Sequence, residues 1–265
     1  MRKLWIVLPL LGALFCESAL ARQVAGSYLA ARQAGYLGDF EASALYNARV
    51  ISRDKTNLRA MEELIIAYVA MGRVESAINV TGDLDRNGSG SYFVHTVALA
   101  QSVEEKDYQK ALVLLENEEA GRSFLLSSLV KGWMLAGSGQ LEAAVEQFEA
   151  LARDKNVVGF AQYHKALFYL SQGDADFAES TLKAYLDEGG SATSRNLIAL
   201  IHALMQQGKF DEAKEYFQAS FGDSPPAALL DLFKRIEGKQ KPSRPLIGDA
   251  RQGVAEVFLT IAQIL

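Results

Sequence analysis

The chain has 265 residues, of which 49% are hydrophobic and 22% charged, and it carries a net charge of -5. That balance suits a folded, water-facing protein with a sizeable core, and the acidic excess argues against nucleic acid, whose phosphates call for a concentrated basic face. Ala, Leu and Glu are abundant while Pro is scarce, which favours helix.

The first residues have the pattern of an export signal. Met1-Arg2-Lys3 is a short basic stretch, Leu4 to Phe15 is an apolar run, and Ala19-Leu20-Ala21 supplies the small residues after which a signal peptidase cuts. Cleavage after Ala21 would start the mature chain at Arg22 and deliver it to a bacterial periplasm. An uncut run of this length falls short of the about 20 residues of a spanning helix, so a retained N-terminal anchor is the weaker alternative. Cys16, the only cysteine, raises a second one, a lipid-modified cysteine, although Phe15 stands where that class has a small residue. Cleavage at Ala21 would remove Cys16 and with it any disulfide or thiolate chemistry.

One phrase then recurs along the chain. Its clearest copy is Gly139-Gln140-Leu141, followed by Ala144 and Phe148. Others are Gly72-Arg73-Val74 with Ala77, Gly173-Asp174 with Ala178, and Gly208-Lys209-Phe210 with Ala213 and Phe217. Two weaker copies are Gly38-Asp39-Phe40 with Ser43, and Lys106-Asp107-Tyr108 with Ala111 and Leu115. Anchors at 38, 72, 106, 139, 173 and 208 give intervals of 33 to 35 residues. A fixed period of this size marks one supersecondary unit stacked on itself, about six times here, each copy burying a face that it could not bury alone.

Within the period, apolar spacing predicts two antiparallel helices per copy and no sheet. Repeat one pairs Gly26–Gln33 with Phe40–Ile51. Repeat two sets Met61, Leu64, Ile65 and Tyr68 on one face of its first helix and returns through Val74–Leu84. Repeat three begins at Tyr92, after the turn cluster Asn87-Gly88-Ser89-Gly90, and returns through Ala111 and Leu115. Repeat four pairs Phe124–Leu135 with Leu141–Leu151, repeat five Phe160–Tyr169 with Ala175–Tyr185, and repeat six Arg195–Met205 with Phe210–Ala219. Ala77, Ala111, Ala144, Ala178 and Ala213 are expected where the two helices come closest, with Gly132 and Ala166 opposite them on the first helices. Between the helices, glycine ends the first without steric penalty.

Beyond repeat six, Pro225-Pro226 opens a further helix through Leu229, Leu232, Phe233 and Ile236, over 223–237. Residues 238–249, with Pro242, Pro245 and several basic side chains, read as a solvated linker. From Ala250 another amphipathic helix starts, with Val254, Val257, Phe258, Ile261 and Leu265 on one face. A solenoid ends in a polar cap, so the expectation is either that related chains continue further or that this helix docks on something outside the sequence.

The repeat resembles the tetratricopeptide repeat, whose first helix carries Trp, Leu-Gly and Tyr and whose second carries Ala, Phe and Ala. The resemblance covers roughly Gly26 to Phe221 and is strongest in the second helices. Met61, His95 and Gln162 stand in the tryptophan slot, and Lys131 and Lys165 in that of the leucine. It implies an all-α, right-handed superhelical solenoid over 22–222 whose concave face, lined by first helices, binds peptides or proteins. The arrangement is also similar to exported tetratricopeptide proteins of alphaproteobacteria, which implies a periplasmic interaction scaffold or envelope assembly factor. Two other readings are a non-catalytic segment of a longer enzyme and a membrane-anchored cytoplasmic adaptor.

No nucleophile elbow, phosphate loop or paired-carboxylate motif is present, so no catalytic residue, cofactor or enzymatic activity is assigned. His95, His164 and His202 lie on three separate first helices without a local His-x-x-x-His pair, and no metal site is assigned. Cationic and aromatic groups do concentrate on the first helices of repeats four to six: Lys131, Trp133, Tyr163, His164, Lys165, Arg195 and His202. Such a mixture suits an acidic or C-terminal peptide. The competing expectation is that Trp133 and Tyr163 pack between repeats while the lysine stems run outward.

Overall fold

The computed structural model describes residues 24–87, 92–116, 124–222 and 225–262. The signal-like stretch with Cys16 and its cleavage site, most of the turn cluster at 87–90, and Leu265 lie outside these residues. Among the described residues every regular element is helical. Contacts divide the chain into two compact units, Met1–Ala100 and Gln101–Leu265.

The first unit contains α1 (24–36), α2 (Phe40–Arg53), α3 (Leu58–Ala70), α4 (Val74–Arg86) and most of α5 (Tyr92–Glu104). Asp39 and Asn57 cap α2 and α3, their side chains accepting from the backbone N–H groups of Ala42 and Ala60. α2 packs on α3 and α3 on α4 around Met61, Ile65, Ala77 and Leu84, with Ala44, Leu64 and Ala67 as a second layer.

The second unit takes up the end of α5. It continues through α6 (Tyr108–Leu115), α7 (Phe124–Gly137), α8 (Leu141–Ala152), α9 (Val158–Gln172), α10 (Ala175–Asp187), α11 (Ser194–Gln207) and α12 (Phe210–Phe221). Neighbours in sequence are neighbours in space from α6 to α12. A 3-10 turn (Ala227–Leu229) leads into α13 (Leu230–Glu237), which packs on α12 with Phe233 against Phe217, ring centroids 5.1 Å apart. The last element is α14 (Ala250–Ala262).

The same turn joins the two helices of every repeat. Gly38, Gly72, Gly139, Gly173 and Gly208 all have φ between 71° and 83°. In each case the glycine N–H and the next N–H donate back to carbonyls of the finishing helix, as Gly173 to Leu170 and Asp174 to Tyr169. This left-handed closure satisfies carbonyls that the helix end would leave orphaned. The following residue then begins the return helix. Repeat three makes the identical turn, Lys106 to Val103 and Asp107 to Ser102, but with a lysine at φ 60°.

The small residues sit where the helices meet. Ala77 is 1% exposed, and Ala111, Ala144, Ala178 and Ala213 are fully buried. Gly132 has no room for a methyl group, since a Cβ there would stand 2.5 Å from the Phe148 ring. Phe148 and Phe217 in turn fill the core.

The C-terminal helix corrects the expectation of docking outside the sequence. α14 lies on the second unit's own first helices, chiefly α7 and then α9, and the residues before it are not wholly solvated, since Ile247 is buried. Its apolar face has a covering within the chain, which no local pattern could reveal.

Two outcomes follow for stability. A non-glycine residue held in the left-handed region costs roughly 1–2 kcal/mol, so Lys106→Gly should stabilise the second unit by about 1 kcal/mol after the weak contact of its amine with Asp249 is lost. Ala144→Leu should destabilise it by roughly 1–3 kcal/mol through overpacking. Chemical denaturation of both variants checks the two signs.

Candidate functional site

The first helices of repeats four to six are α7, α9 and α11, and their shared face is where α14 rests. At its start, Asp249 faces Lys106 at 3.8 Å and Arg251 Nη1 donates to Glu104 Oε1 at 2.7 Å. Ala250 meets Gly137, and Gly253 lies flat on the Trp133 indole, so that a Cβ on Gly253 would stand 2.1 Å from that ring. One turn on, Glu256 accepts hydrogen bonds from Tyr163 Oη at 2.9 Å and from Arg195 Nη1. Arg195 also donates to Thr260 Oγ1 at 3.3 Å. α14 therefore runs along the stack, from the turn of repeat three to the first helix of repeat six. Val254, Val257 and Thr260 are buried beneath it, while Leu259 on its outer side is half exposed.

Trp133 forms the floor. It is 1% exposed and meets Phe148, His164 and Phe168 edge-on, with centroids 6.0 to 6.5 Å apart. Its Nε1–H donates to His164 Nδ1 at 3.1 Å. His164 must then carry its proton on Nε2, a buried donor that has no partner among the described residues. Burial, with a smaller contribution from the Arg195 charge, lowers its pKa to about 3, so this imidazole stays neutral. Tyr163 has its phenol pushed well above the usual range by burial and by the Glu256 carboxylate, which fixes it as a donor.

The seven residues singled out by sequence thus part company. Trp133, Tyr163, His164 and Arg195 converge on α14, but His164 reaches it only through the indole that it orients. Lys131 and Lys165 do not join them. Residues two apart on a helix point about 200° away from one another, so a lysine two positions from Trp133 or from Tyr163 leaves the shared face. Lys131 is exposed, and Lys165 Nζ turns to Glu149 Oε1 on α8 at 2.8 Å. His202 is also corrected: it faces α13, in a cavity shared with Leu232 and Arg235, and burial lowers its pKa to about 4.

Sequence reasoning missed Gly253, Glu256 and Thr260. The spacing Gly253-x-x-Glu256-x-x-x-Thr260 places all three on one side of a helix, and that signal was available. A cavity of about 550 Å³ continues the face past Thr260, lined by Lys155, Tyr163, Tyr185, Arg195 and Asn196. A second polar cluster joins α10, α11 and α12, where Lys183, Lys209 and Gln207 donate to Glu179. Against a burial that would raise it, these bonds hold the Glu179 carboxyl down to about 2. That cluster is a clamp between helices.

Comparison with known proteins agrees with the geometry. The family model described as "Tetratricopeptide repeat" matches residues 129–193, from α7 to the start of α11. Residues 129–193 carry tetratricopeptide repeats. It is 30% identical over 119 residues to the DnaJ homolog subfamily C member 3 of Gallus gallus, a match covering 43% of this chain but only 23% of that protein, under a quarter of its length. The crystal structure of MamA protein covers 82% of the chain, and 96% of MamA is covered in turn, at 16% identity and a TM-score of 0.36.

Acid should weaken this core. His164, buried, and His202, partly buried, are both held neutral in the fold, whereas in the unfolded chain they bind a proton near pH 6.5, so the unfolded state takes up more protons and stability falls as pH falls below that value. Each contributes roughly 1.4 kcal/mol per pH unit between its two pKa values. His164→Gln keeps an acceptor for the indole and removes one of these titrations. Its unfolding free energy should therefore decline less steeply than that of the parent between pH 6 and pH 4, as read by denaturant titration at each pH.

Proposed function

We propose that this chain is an exported, non-catalytic scaffold that holds a protein partner on the first-helix face of repeats four to six. Tetratricopeptide repeats support a role in protein-protein interaction, and the observation that carries the choice of face is the reception of α14. There an amphipathic segment lies along α7, α9 and α11 with its carboxylate gripped by Arg195 and Tyr163 over an aromatic floor. A surface that holds one amphipathic helix by a charge-assisted bond to its carboxylate and a close-packed indole has the chemistry to hold another.

Export rests on the pattern from Met1 to Ala21, and its destination would be the periplasm. Among the described residues no helix is long and apolar enough to cross a membrane. An envelope assembly role is the functional setting that joins export to protein binding.

Two measurements test the reading. N-terminal sequencing of the protein from its source cells should begin at Arg22, and a chain that keeps Met1 would overturn cleavage. A benzophenone amino acid in place of Ser194, exposed on the rim of the 550 Å³ cavity, should cross-link a defined partner, and Arg195→Glu should abolish that product. Cross-links unaffected by Arg195→Glu would move the binding surface elsewhere.

A further inference from the structure

Three features of α14 bear on what the face selects. The first is close approach: Gly253 allows the helix backbone to rest on Trp133, where any larger residue would be held away. The second is charge: Glu256, three residues on and hence on the same side, meets the Arg195 guanidinium and the Tyr163 phenol, which point into the face. The third is tether. α14 is joined to α13 through 238–249, which carries it from the end of repeat six back to the turn of repeat three. Beside its buried apolar contacts through Val254 and Val257, part of its hold is polar and open to water. Arg251 and Glu104 have side chains 43% and 68% exposed, and Lys106 and Asp249 60% and 35%. Pairs of that kind add little to stability.

We propose that α14 is a tethered competitor, seated where the partner binds, and that the partner is a protein whose amphipathic helix presents a glycine followed three positions later by a carboxylate. This rests on the reading of the face as a protein-binding surface and adds both the recognition rule and its regulation. A short tether gives its segment an effective concentration on the order of millimolar. A partner helix of equal intrinsic affinity would thus bind the resting chain no more tightly than about millimolar, while a chain with α14 released would show the intrinsic affinity.

The test uses the full chain and, as probe, a fluorescein-labelled peptide of residues 247–262. Gly253→Leu in the protein should expel α14, seen as faster hydrogen exchange over 250–262 and as a red shift in the emission of Trp133. The only other tryptophan is Trp5, within the signal-like stretch. Peptide anisotropy should then show at least a tenfold tighter Kd for the Gly253→Leu protein than for the parent. The same peptide carrying Gly253→Leu or Glu256→Gln should lose that binding, as should protein that combines Gly253→Leu with Arg195→Ala.

Glu256→Lys is a second way to expel the helix, by charge reversal, and should give the same gain. Equal affinity of the peptide for parent and released chains would overturn the competitor. Equal binding of the Glu256→Gln peptide would overturn the recognition rule. Loss of cooperative unfolding in both released variants would show α14 to be an integral part of the core and would also overturn the proposal. So would a parent dimer that dissociates on Gly253→Leu, since the site would then belong to a second copy of α14. Peptide binding that follows the expected pattern, with no Ser194 cross-link in cells from either parent or released chain, would remove the functional reading while leaving the competitor in place.

Discussion

The close reversal of one helix onto the next governs this molecule. Each first helix stops at a residue with positive φ, two backbone N–H groups return to its last carbonyls, and the chain sets off again almost at once. So short a turn forces the two helices together, and the residues where they touch are small: alanine, glycine or, in repeat one, Ser43. The pairing of Gly132 with Phe148 shows the limit, for the ring occupies the space where a methyl group would lie. From that spacing comes the stacking of successive pairs in the second unit, and from the stacking comes a face made of first helices alone.

That face is more selective than its composition suggests. Aromatic and cationic residues are plentiful on it, yet their helical phase decides which can act together. Trp133 and Tyr163 share a side with Arg195, whereas lysines two positions from either aromatic point elsewhere. The floor is also held in place from behind. His164 accepts from the indole and, being buried and neutral, fixes the ring plane on which Gly253 rests.

The helices and turns were legible in the sequence because they are local. A glycine ahead of a return helix, an alanine four or five positions into it and apolar residues at helical spacing are written within a few dozen residues, and the structure places each as expected. Repeat three was legible despite Lys106, since Asp107 and Ala111 kept the phase. The covering of the face was not legible. Glu256 is 93 residues from Tyr163 and 61 from Arg195, and nothing in a periodic pattern reports contacts over such distances. The apolar side of α14 announced that it needed a cover but not where the cover lay. Likewise Trp133 and His164 could be read as ligand groups or as core, and only their mutual bond and full burial decide for a supported floor.

The reach of α14 also orders events in time. Repeat arrays ordinarily fold from neighbour to neighbour, as each pair finds its predecessor already made. The contact of Arg251 with Glu104 spans 147 residues, a loop whose closure has a large entropic cost and comes late. As the chain emerges N-terminus first, repeats three to six can stack on one another in turn, but α14 reaches their shared face only after all of them are out. A newborn chain therefore passes through an interval in which Trp133 and Arg195 are assembled and uncovered, and in that interval the face meets the cell without its own helix upon it.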